Sequence, residues 1–586
     1  MTKKIPAPWY RFYGRRRKTI KYPNGSMYDE VRNAAEKCPE NIAYDYFGNK
    51  VNFTVFLAQI DRAAHSLLSL GVKKGDVISL CSPNIPEAII ALYAINKLGA
   101  VANIFHPLSA PNEIRDNLNL VGSTIFIVAD VSWKNTEPIL HETNVEQTIV
   151  ISPADSLPLF SYLGYKILKV NELRKTLHQI ITRNKKTMSW DEFVARGKYV
   201  VGEAYEKTAA EQTAIVLYSG GTTGKSKGIA LSNRNFNALA YELRDFIDGI
   251  VKIQGKVMLG IMPVFHGFGL GVGIHTALAN GAGVALFPKF DVNKFDKILA
   301  SARPNFIIGV PALYQAMLNN KKVGKMDLSF IDAAFSGGDT VSANLRRDIN
   351  DMFSRQGSKA RLLEGYGLTE CLTVACVNPV NREKDGSIGI PLADTYFKIV
   401  EPKTYTTKPV GEIGEIVISG PILMEGYINN DVETNQTLHK HPDGRVWLHT
   451  GDIGKMDQDG YIFFTGRIKR LIISSGYNIY PDEIERTIMR APEVLLATVV
   501  GVPDRVRGQV AKAFIVLRNG LKPSKEIEDS IMELCKKELT KYKWPRKIEF
   551  RTSLPKTKVG KVAYNELTNE QLGDEQKPKK FRLRRK

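Results

Sequence analysis

The chain has 586 residues, of which 24% are charged and 43% hydrophobic, a composition typical of a globular protein. Its length is enough for roughly three to four domains. Its five cysteines are odd in number and include no CxxC pair, which argues against a disulfide framework and for a reducing, cytoplasmic compartment. No apolar run reaches 18 residues and the N-terminus lacks an apolar signal core, so we expect neither a spanning helix nor a secretory signal.

The net charge of +20 is concentrated at the two ends of the chain. Residues 1–22 and 577–586 carry fifteen of these charges and no acidic residue, which leaves +5 for the body between them. Aromatic residues such as Trp9 and Phe581 stand among the basic ones. This mixture suits peripheral contact with an anionic membrane or with nucleic acid, and a solvated tail without a partner is the alternative. We favour the membrane over nucleic acid.

Residues 23–150 predict helices and strands in alternation, which favours parallel sheets built from βαβ units. Residues 153–210 are more polar and less regular, and they predict a surface excursion. The predicted helices are Tyr28–Lys37, Phe53–Leu70 and Pro86–Leu98, and the predicted strands are Asp76–Leu80, Thr124–Ala129 and Gln147–Ile151.

The alternation resumes after residue 210. From about residue 393, short β segments predict a β-rich subdomain, and residues 469–562 predict a β-α-β-β-α-β unit. The middle of the chain predicts strands at Thr213–Tyr218, Val257–Met262, Gly283–Phe287, Phe306–Val310 and Asp332–Ser336, and a helix at Asn233–Ile247.

A loop of glycine, hydroxyl and lysine residues runs from Tyr218 to Gly228, between a predicted strand and a predicted helix. Its backbone N–H groups, hydroxyls and lysines are typical of a phosphate-binding loop, with a solvated turn as the alternative. The spacing excludes a Walker A loop, because Ser219 stands where the first glycine is required. The glycines of Gly267–Gly273 fail the dinucleotide fingerprint, and neither HExxH nor a metal-spaced histidine cluster occurs.

Five segments in order resemble the motifs of the adenylate-forming superfamily, which contains acyl-CoA synthetases, luciferases and peptide-synthetase adenylation domains. The resemblance covers roughly residues 25–565. The segments are the loop Ser219–Gly228, Gly365–Glu370, Leu448–Asp452, Gly466–Lys469 continuing to Gly476, Tyr477 and Pro481–Glu485, and Leu554–Lys561.

The resemblance implies an α/β fold with a large N-terminal domain, of two βαβ sheets and a β-rich subdomain, and a small mobile α+β C-terminal domain. We expect the domain boundaries at 23–468 and 469–565, and the basic tails at 1–22 and 566–586 fall outside the resemblance. The chemistry implied has two steps: a carboxylate attacks the α-phosphate of ATP, and a thiol, usually that of coenzyme A, then displaces AMP. Two anions meet in the first step, so the site must supply positive charge and positioning.

The resemblance also implies a role for each site residue. Glu370 would hold Mg²⁺, Thr369 would donate to the α-phosphate, and Lys561 would bridge the α-phosphate and the carboxylate. The phosphate-binding residues would be Ser219, Gly220, Thr222, Thr223, Gly224 and Lys227. The nucleoside-binding residues would be Gly337, Gly338, Asp339 and Tyr366 at the adenine, and Asp452 with Arg467 at the ribose. Each residue has a structural alternative: a core aromatic for Tyr366, a turn residue for Asp452 and a solvated lysine for Lys561.

Lys469 resembles the family's hinge, about which the C-terminal unit would rotate between the two half-reactions. Rotation would bring Ser475, Gly476 and Tyr477 toward a thiol channel, and a rigid linker is the alternative. His266 would lie near the substrate carboxylate, or would be a packed core histidine. Because residues 257–287 contain no acidic residue to hold an ammonium group, the segment favours an apolar acid over an amino acid.

The sequence therefore predicts a cytoplasmic, ATP-dependent acyl-CoA synthetase acting on medium- or long-chain fatty acids. An acyl-AMP ligase that loads a carrier protein, and an aryl- or bile-acid-CoA ligase, are the alternatives within the family. A basic-tailed RNA- or membrane-binding protein on an inactive scaffold is the alternative from another class.

Overall fold

The computed structural model describes residues 5–14, 16–158, 186–219, 226–475, 477–518, 520–556 and 562–571. Over these residues the strands form four sheets, named here sheets I to IV in the order of their description.

Sheet I is mainly parallel, with antiparallel pairing only at the Lys227–Ser232 strand. Five-residue apolar strands such as Ile125–Ala129 are buried on both faces, as expected for parallel strands covered by helices. In spatial order its strands are Gly426–Tyr427, Lys227–Ser232, Thr213–Ser219, Val101–Phe105, Val77–Cys81, Ile125–Ala129, Gln147–Ile151 and Thr187–Ser189.

Sheet II has a parallel centre with antiparallel strands at both edges. In spatial order its strands are Ile390–Pro391, Cys376–Val377, Leu362–Tyr366, Ala333–Ser336, Phe306–Gly309, Val257–Gly260, Gly283–Leu286, Ile42–Tyr46 and Asn49–Asn52.

Sheet III is antiparallel and corresponds to the predicted β-rich subdomain. Its strands are Tyr396–Val400, Gly414–Ser419, Val446–Met456 and Leu438–Lys440, with Ile462–Arg467 paired to Val446–Met456. Sheet IV lies near the C-terminus, and its strands are Tyr477–Ile479, Ile472–Ser474, Gly508–Leu517 and Val494–Asp504, with Lys547–Phe550 paired parallel to Gly508–Leu517.

The helices pack against these sheets. The α-helices are Met27–Lys37, Phe53–Ser69, Pro86–Lys97, Pro111–Val121, Trp133–Thr136, Trp190–Arg196, Asn233–Asp248, Thr276–Leu278, Phe295–Ala302, Pro311–Asn319, Ala343–Arg355, Asp431–Thr437, Pro481–Ile488, Lys525–Glu538 and Tyr564–Gln571.

Helix Pro86–Lys97 is buried along its whole length. A helix that is apolar all round belongs in a core rather than at a surface. It shares one hydrophobic cluster with strands of both sheet I and sheet II, including Leu80 and Ile308. Sheet IV has a cluster of its own that runs from Ile472 to Phe550.

The segment predicted as a basic N-terminal tail is packed on the body instead. Trp9 is 0% exposed and Tyr13 4%, and the Tyr13 hydroxyl donates to the Pro391 carbonyl at 2.8 Å. A side chain at Gly460 (φ +88°) would meet the Trp9 ring at 2.9 Å, so the turn and the indole fit only with glycine there. Trp9 and Tyr13, two of the aromatic residues that suggested a lipid contact, are therefore core residues. Of the predicted C-terminal tail at 566–586, residues 566–571 belong to the helix Tyr564–Gln571, in which Leu567 is buried, and the rest lies outside the described residues.

Two further segments differ from expectation. Residues 186–199, predicted within a surface excursion, contribute the strand Thr187–Ser189 and a helix whose Phe193 is 0% exposed. The glycine-rich segment Phe268–His275 is a π-helix, and a side chain at Gly269 would lie 2.0 Å from the Pro263 carbonyl oxygen. These glycines are required by close backbone packing, and they gave no periodicity from which a helix could be predicted.

Among the described residues, no helix combines the length and the apolar character needed to cross a membrane.

His275 at the end of the π-helix is fully buried and held neutral. Its Nε2 lies 2.9 Å from the Asn237 Oδ1, which can only accept, so this nitrogen carries the proton. Its Nδ1 lies 3.1 Å from the Tyr93 hydroxyl. Burial lowers the pKa of His275 to about 3.

We expect His275 to make the protein less stable in acid. Because its pKa is lower in the folded than in the unfolded state, the unfolded chain takes up the proton, and stability is lost as pH falls below about 6.5. Between pH 7.5 and 5 this amounts to about 2 kcal/mol, measurable as a fall in the urea midpoint. His275→Gln should reduce that fall, whereas His141→Gln, at an exposed position, should not. If the urea midpoint of His275→Gln falls with pH as steeply as that of the wild type, the lowered pKa of His275 is contradicted.

Candidate active site

The predicted phosphate loop joins two antiparallel strands of sheet I. Ser219 and Lys227 are paired across Thr213–Ser219 and Lys227–Ser232, and the Ser226 hydroxyl donates to the Ser219 carbonyl at 3.2 Å. The sequence placed a helix directly after the loop, but this strand intervenes because Ile229–Leu231 are buried in the sheet. Gly220, Thr222, Thr223 and Gly224 lie outside the described residues, so their roles stay predictions.

Lys227 leaves the loop toward two residues of the 426–437 segment. Its ammonium group forms an ion pair with Glu433 and lies 5.1 Å from the centroid of the Tyr427 ring. The Tyr427 hydroxyl donates to Glu370 Oε1 at 2.9 Å. Burial and the Glu370 charge raise the pKa of Tyr427, so the phenol keeps its proton and remains a donor.

A second cluster joins sheet II to sheet III. The Tyr366 hydroxyl donates to Asp452 Oδ2 at 2.7 Å, and Arg467 Nε lies 3.1 Å from Asp452 Oδ1. Asp452 is 1% exposed and faces Arg467 across two paired strands. Burial, together with the Asp452 charge, raises the pKa of Tyr366, and the same charge raises the pKa of Arg467. The cluster is therefore a carboxylate held between a neutral donor and a cation.

Gly337, Gly338 and Asp339 follow directly after the strand Ala333–Ser336. This strand pairs in parallel with Leu362–Tyr366, which brings the turn beside Tyr366. Gly337 is buried, and a side chain there would lie 3.5 Å from the Gly365 carbonyl oxygen. Gly338 (φ +82°) and Asp339 are exposed.

Two further positions lie at the ends of sheet II. Thr369 begins a short 3₁₀ turn, Thr369–Cys371, that places Glu370 toward Tyr427. His266 precedes the π-helix, where its Nδ1 accepts from the Phe268 backbone N–H at 3.2 Å. His266 is thus half-buried at the helix start rather than packed in the core.

The predicted hinge lies where sheet III gives way to sheet IV. Lys469 is exposed in the 3₁₀ turn Ile468–Arg470. Next to it, Arg470 contacts Asp482 at 3.1 Å and Glu485 at 2.5 Å. Across the junction, Arg486 donates to the Phe464 carbonyl at 2.5 Å. Ion pairs therefore fix Arg470 on the C-terminal side of the predicted hinge, and Arg486 connects that side to Phe464 on the N-terminal side.

The residues predicted to meet a thiol lie beyond this junction. Ser475 is exposed with φ +50°, and the Tyr477 ring stacks on Tyr542 at a centroid distance of 4.8 Å. Gly476 and Lys561 lie outside the described residues, so the structure does not place the predicted catalytic lysine.

Among the residues that the structure describes, no group of three or more His, Cys, Asp or Glu side chains is arranged to hold a metal ion. Glu370 offers a single half-buried carboxylate. This fits Mg²⁺ held jointly with substrate phosphates, because Mg²⁺ usually keeps several waters and takes one or two carboxylates.

Family models match most of the chain. The model described as AMP-binding enzyme matches residues 31–428, and the model described as AMP-binding enzyme C-terminal domain matches residues 483–561. The chain belongs to the AMP-binding enzyme family. The predicted adenylate-forming resemblance is confirmed, and with it the prediction of an enzyme.

Curated relatives in this family include a long-chain-fatty-acid–CoA ligase of Bacillus subtilis (strain 168), 30% identical over 94% of this chain and 95% of the relative. The 4-coumarate–CoA ligase-like 2 protein of Arabidopsis thaliana is 31% identical over 89% of this chain and 86% of the relative. Among solved structures, the anthranilate CoA ligase AuaEII in complex with anthranoyl-AMP has a TM-score of 0.79 at 24% identity, covering 94% and 97% of the two chains. This likeness confirms the α/β fold.

Tyr427 and Glu433 are not among the residues predicted from the sequence. Both contact predicted site residues in this family member, yet they lie outside the five motifs. A signal existed in Asn430, a helix-capping residue type that precedes an acidic first turn. This pattern predicts the start of a helix, but it does not indicate that Glu433 forms an ion pair with Lys227.

Tyr366→Phe should weaken the Asp452 cluster. It deletes only the hydroxyl that donates to a buried carboxylate, so we expect a loss of about 1–2 kcal/mol in the free energy of unfolding, measured by urea titration. Tyr405→Phe is the matched control, because Tyr405 is 46% exposed. Equal midpoints for the two variants would show that the hydroxyl of Tyr366 does not support Asp452.

Proposed function

We propose that the protein is an ATP-dependent, AMP-forming acid–thiol ligase that converts a medium- or long-chain fatty acid into its coenzyme A thioester. The observation that carries the proposal is the joint placement of Tyr366, Asp452 and Arg467 in one cluster. Full-length relatives named as long-chain-fatty-acid–CoA ligases support the substrate class.

In the first half-reaction the Asp452 carboxylate would accept hydrogen bonds from the ribose hydroxyls, with Arg467 holding that carboxylate in place. Tyr366, beside Gly337, would lie against the adenine. The substrate carboxylate oxygen attacks the α-phosphorus, the bond to the β-phosphate breaks, and pyrophosphate leaves. Lys227 and the loop at 219–228 would hold the leaving phosphates, and Thr369 and Lys561 would contact the α-phosphate.

Glu370 would hold the Mg²⁺ ion that accompanies ATP, and His266 would lie near the substrate carboxylate. When bound, the ion neutralises phosphate charge. The contact that this chain itself supplies is the hydrogen bond from Tyr427, which fixes one oxygen of Glu370.

In the second half-reaction a coenzyme A thiolate attacks the acyl carbon and AMP leaves. The C-terminal unit would rotate about Lys469 between the two half-reactions. This rotation would withdraw Lys561 from the site and bring Ser475, Gly476 and Tyr477 toward it. The Tyr477 ring, which stacks on Tyr542, is exposed, so this part of the C-terminal unit presents an aromatic surface.

The apolar character of the segment around the π-helix supports a fatty acid. Residues 257–287 contain no acidic side chain, and the π-helix Phe268–His275 is buried throughout. An ammonium-bearing acid would find no carboxylate partner in this segment.

An aryl acid is the second candidate. It is favoured by the similarity to the Arabidopsis 4-coumarate–CoA ligase-like protein at an identity equal to that of the fatty-acid ligases. The two substrate classes share every step above and differ only in the acyl group that binds.

A screen of acids by pyrophosphate release tests the proposal. We expect release from ATP with C8 to C18 fatty acids that exceeds release with aryl acids, and thioester formation only when coenzyme A is added. Release with aryl acids alone would select the second candidate. No acid-dependent release with any acid would overturn the enzymatic function proposed.

Lys561→Ala should separate the half-reactions. Removing the bridging charge should lower acyl-adenylate formation by about 100-fold or more, while thioester formation from supplied acyl-AMP is largely retained. Lys556→Ala, in the same segment, is the control and should affect neither step strongly. Equal losses in both half-reactions would refute the role proposed for Lys561.

A further inference from the structure

The side chain of Glu433 is aimed at a lysine that the proposed function assigns to phosphate. Glu433 Oε1 forms an ion pair with the Lys227 ammonium group. The Lys227 side chain is 19% exposed and that of Glu433 33%, so water screens the pair less than a pair on the open surface.

The local fold fixes Glu433 in this position. It lies on the first turn of helix Asp431–Thr437, and its backbone N–H donates to the Asn430 side chain at 3.1 Å. The Thr434 hydroxyl accepts from the Tyr427 backbone N–H at 2.9 Å. This ties the helix to the strand Gly426–Tyr427, which pairs with the strand that begins at Lys227. Lysine and glutamate thus face each other from two connected elements.

Lys227 is at the same time linked to Glu370 through Tyr427. Its ammonium group lies 5.1 Å from the centroid of the Tyr427 ring, whose hydroxyl donates to Glu370. Tyr427 holds the cation on its ring and the carboxylate on its hydroxyl. An ATP phosphate that reaches Lys227 must therefore compete with the carboxylate of Glu433, while Tyr427 keeps the lysine beside Glu370.

We propose that Glu433 is a positioning residue that holds Lys227 beside Tyr427 until ATP arrives, and that the triphosphate displaces it from the lysine. This rests on the role given to Lys227 in the proposed function. The exchange is of one anionic partner for another, with no covalent step. Glu433 thus lowers the affinity for ATP and keeps a cation pre-placed at the phosphate site.

The test is ATP binding by the full-length protein. Titration calorimetry with ATP and excess Mg²⁺, without acid or coenzyme A, measures Kd for wild type and Glu433→Gln. Removing the competing charge should lower Kd about three- to fivefold, which is the range expected for one partly exposed ion pair. In turnover assays KM for ATP should fall while KM for the acid stays constant.

The matched control is Asp431→Asn, which removes one negative charge from the exposed side of the same helix turn. It should change Kd less than Glu433→Gln does. In a Lys227→Gln background, Glu433→Gln should change Kd for ATP no more than Asp431→Asn does. The lysine for which Glu433 and the ATP phosphate compete is then absent. Glu433→Asp keeps the charge on a shorter stem and should give an intermediate Kd.

An unchanged or raised Kd in Glu433→Gln would overturn the inference, as would an equal effect in both Lys227 backgrounds. A Kd that is raised in Glu433→Gln and returns to the wild-type value only when the Mg²⁺ concentration is increased further would show that Glu433 binds the ion instead, and would also overturn the inference. Wild-type protein that binds no ATP would overturn the proposed function and this inference together, whereas ATP binding indifferent to Glu433 would overturn this inference alone.

Discussion

One buried carboxylate ties the main parts of the molecule together. Asp452 belongs to sheet III, accepts a hydrogen bond from Tyr366 at the end of sheet II, and pairs with Arg467, two residues before Lys469. A carboxylate at 1% exposure is costly to bury without partners, so its position requires both neighbours to be in place. The site can form only when sheet II, sheet III and the strand leading to the predicted hinge are assembled.

Two sheets that carry site residues pack on one shared hydrophobic core. Sheets I and II contribute to one hydrophobic cluster around the helix Pro86–Lys97, and the π-helix Phe268–His275 is inserted in the same cluster. The loop ends at Ser219 and Lys227 belong to strands of sheet I, whereas Tyr366 ends a strand of sheet II and Glu370 follows it. The predicted phosphate contacts of sheet I and the predicted nucleoside contacts of sheet II would thus rest on one shared core.

Local pattern predicted most of the regular elements, because apolar periodicity and flanking polar residues define them. Phe53–Leu70 is helical over Phe53–Ser69, and the strand predicted at Thr213–Tyr218 ends one residue later. The π-helix was not predictable, since its glycines allow close contacts with Pro263 and with residues distant in the chain, such as Leu239 and Ile308. The motifs include Tyr366, Asp452 and Arg467, which the structure brings into contact. They do not include Glu433, whose partner Lys227 lies 206 residues earlier in the chain. Such pairings depend on tertiary placement and leave no local pattern.

The packing of the N-terminal segment has a consequence for biosynthesis. Trp9 and Tyr13 are synthesised long before their partners, which lie near Pro391 and Gly460. The hydrogen bond of Tyr13 spans 378 residues. At a synthesis rate of about 5–20 residues per second, these aromatic side chains wait about 20–75 s for the surface that buries them. The basic residues of 1–22 give the waiting segment a positive net charge, and net charge favours solubility. The N-terminal segment can therefore pack in place only after residues 391 and 460 have been made.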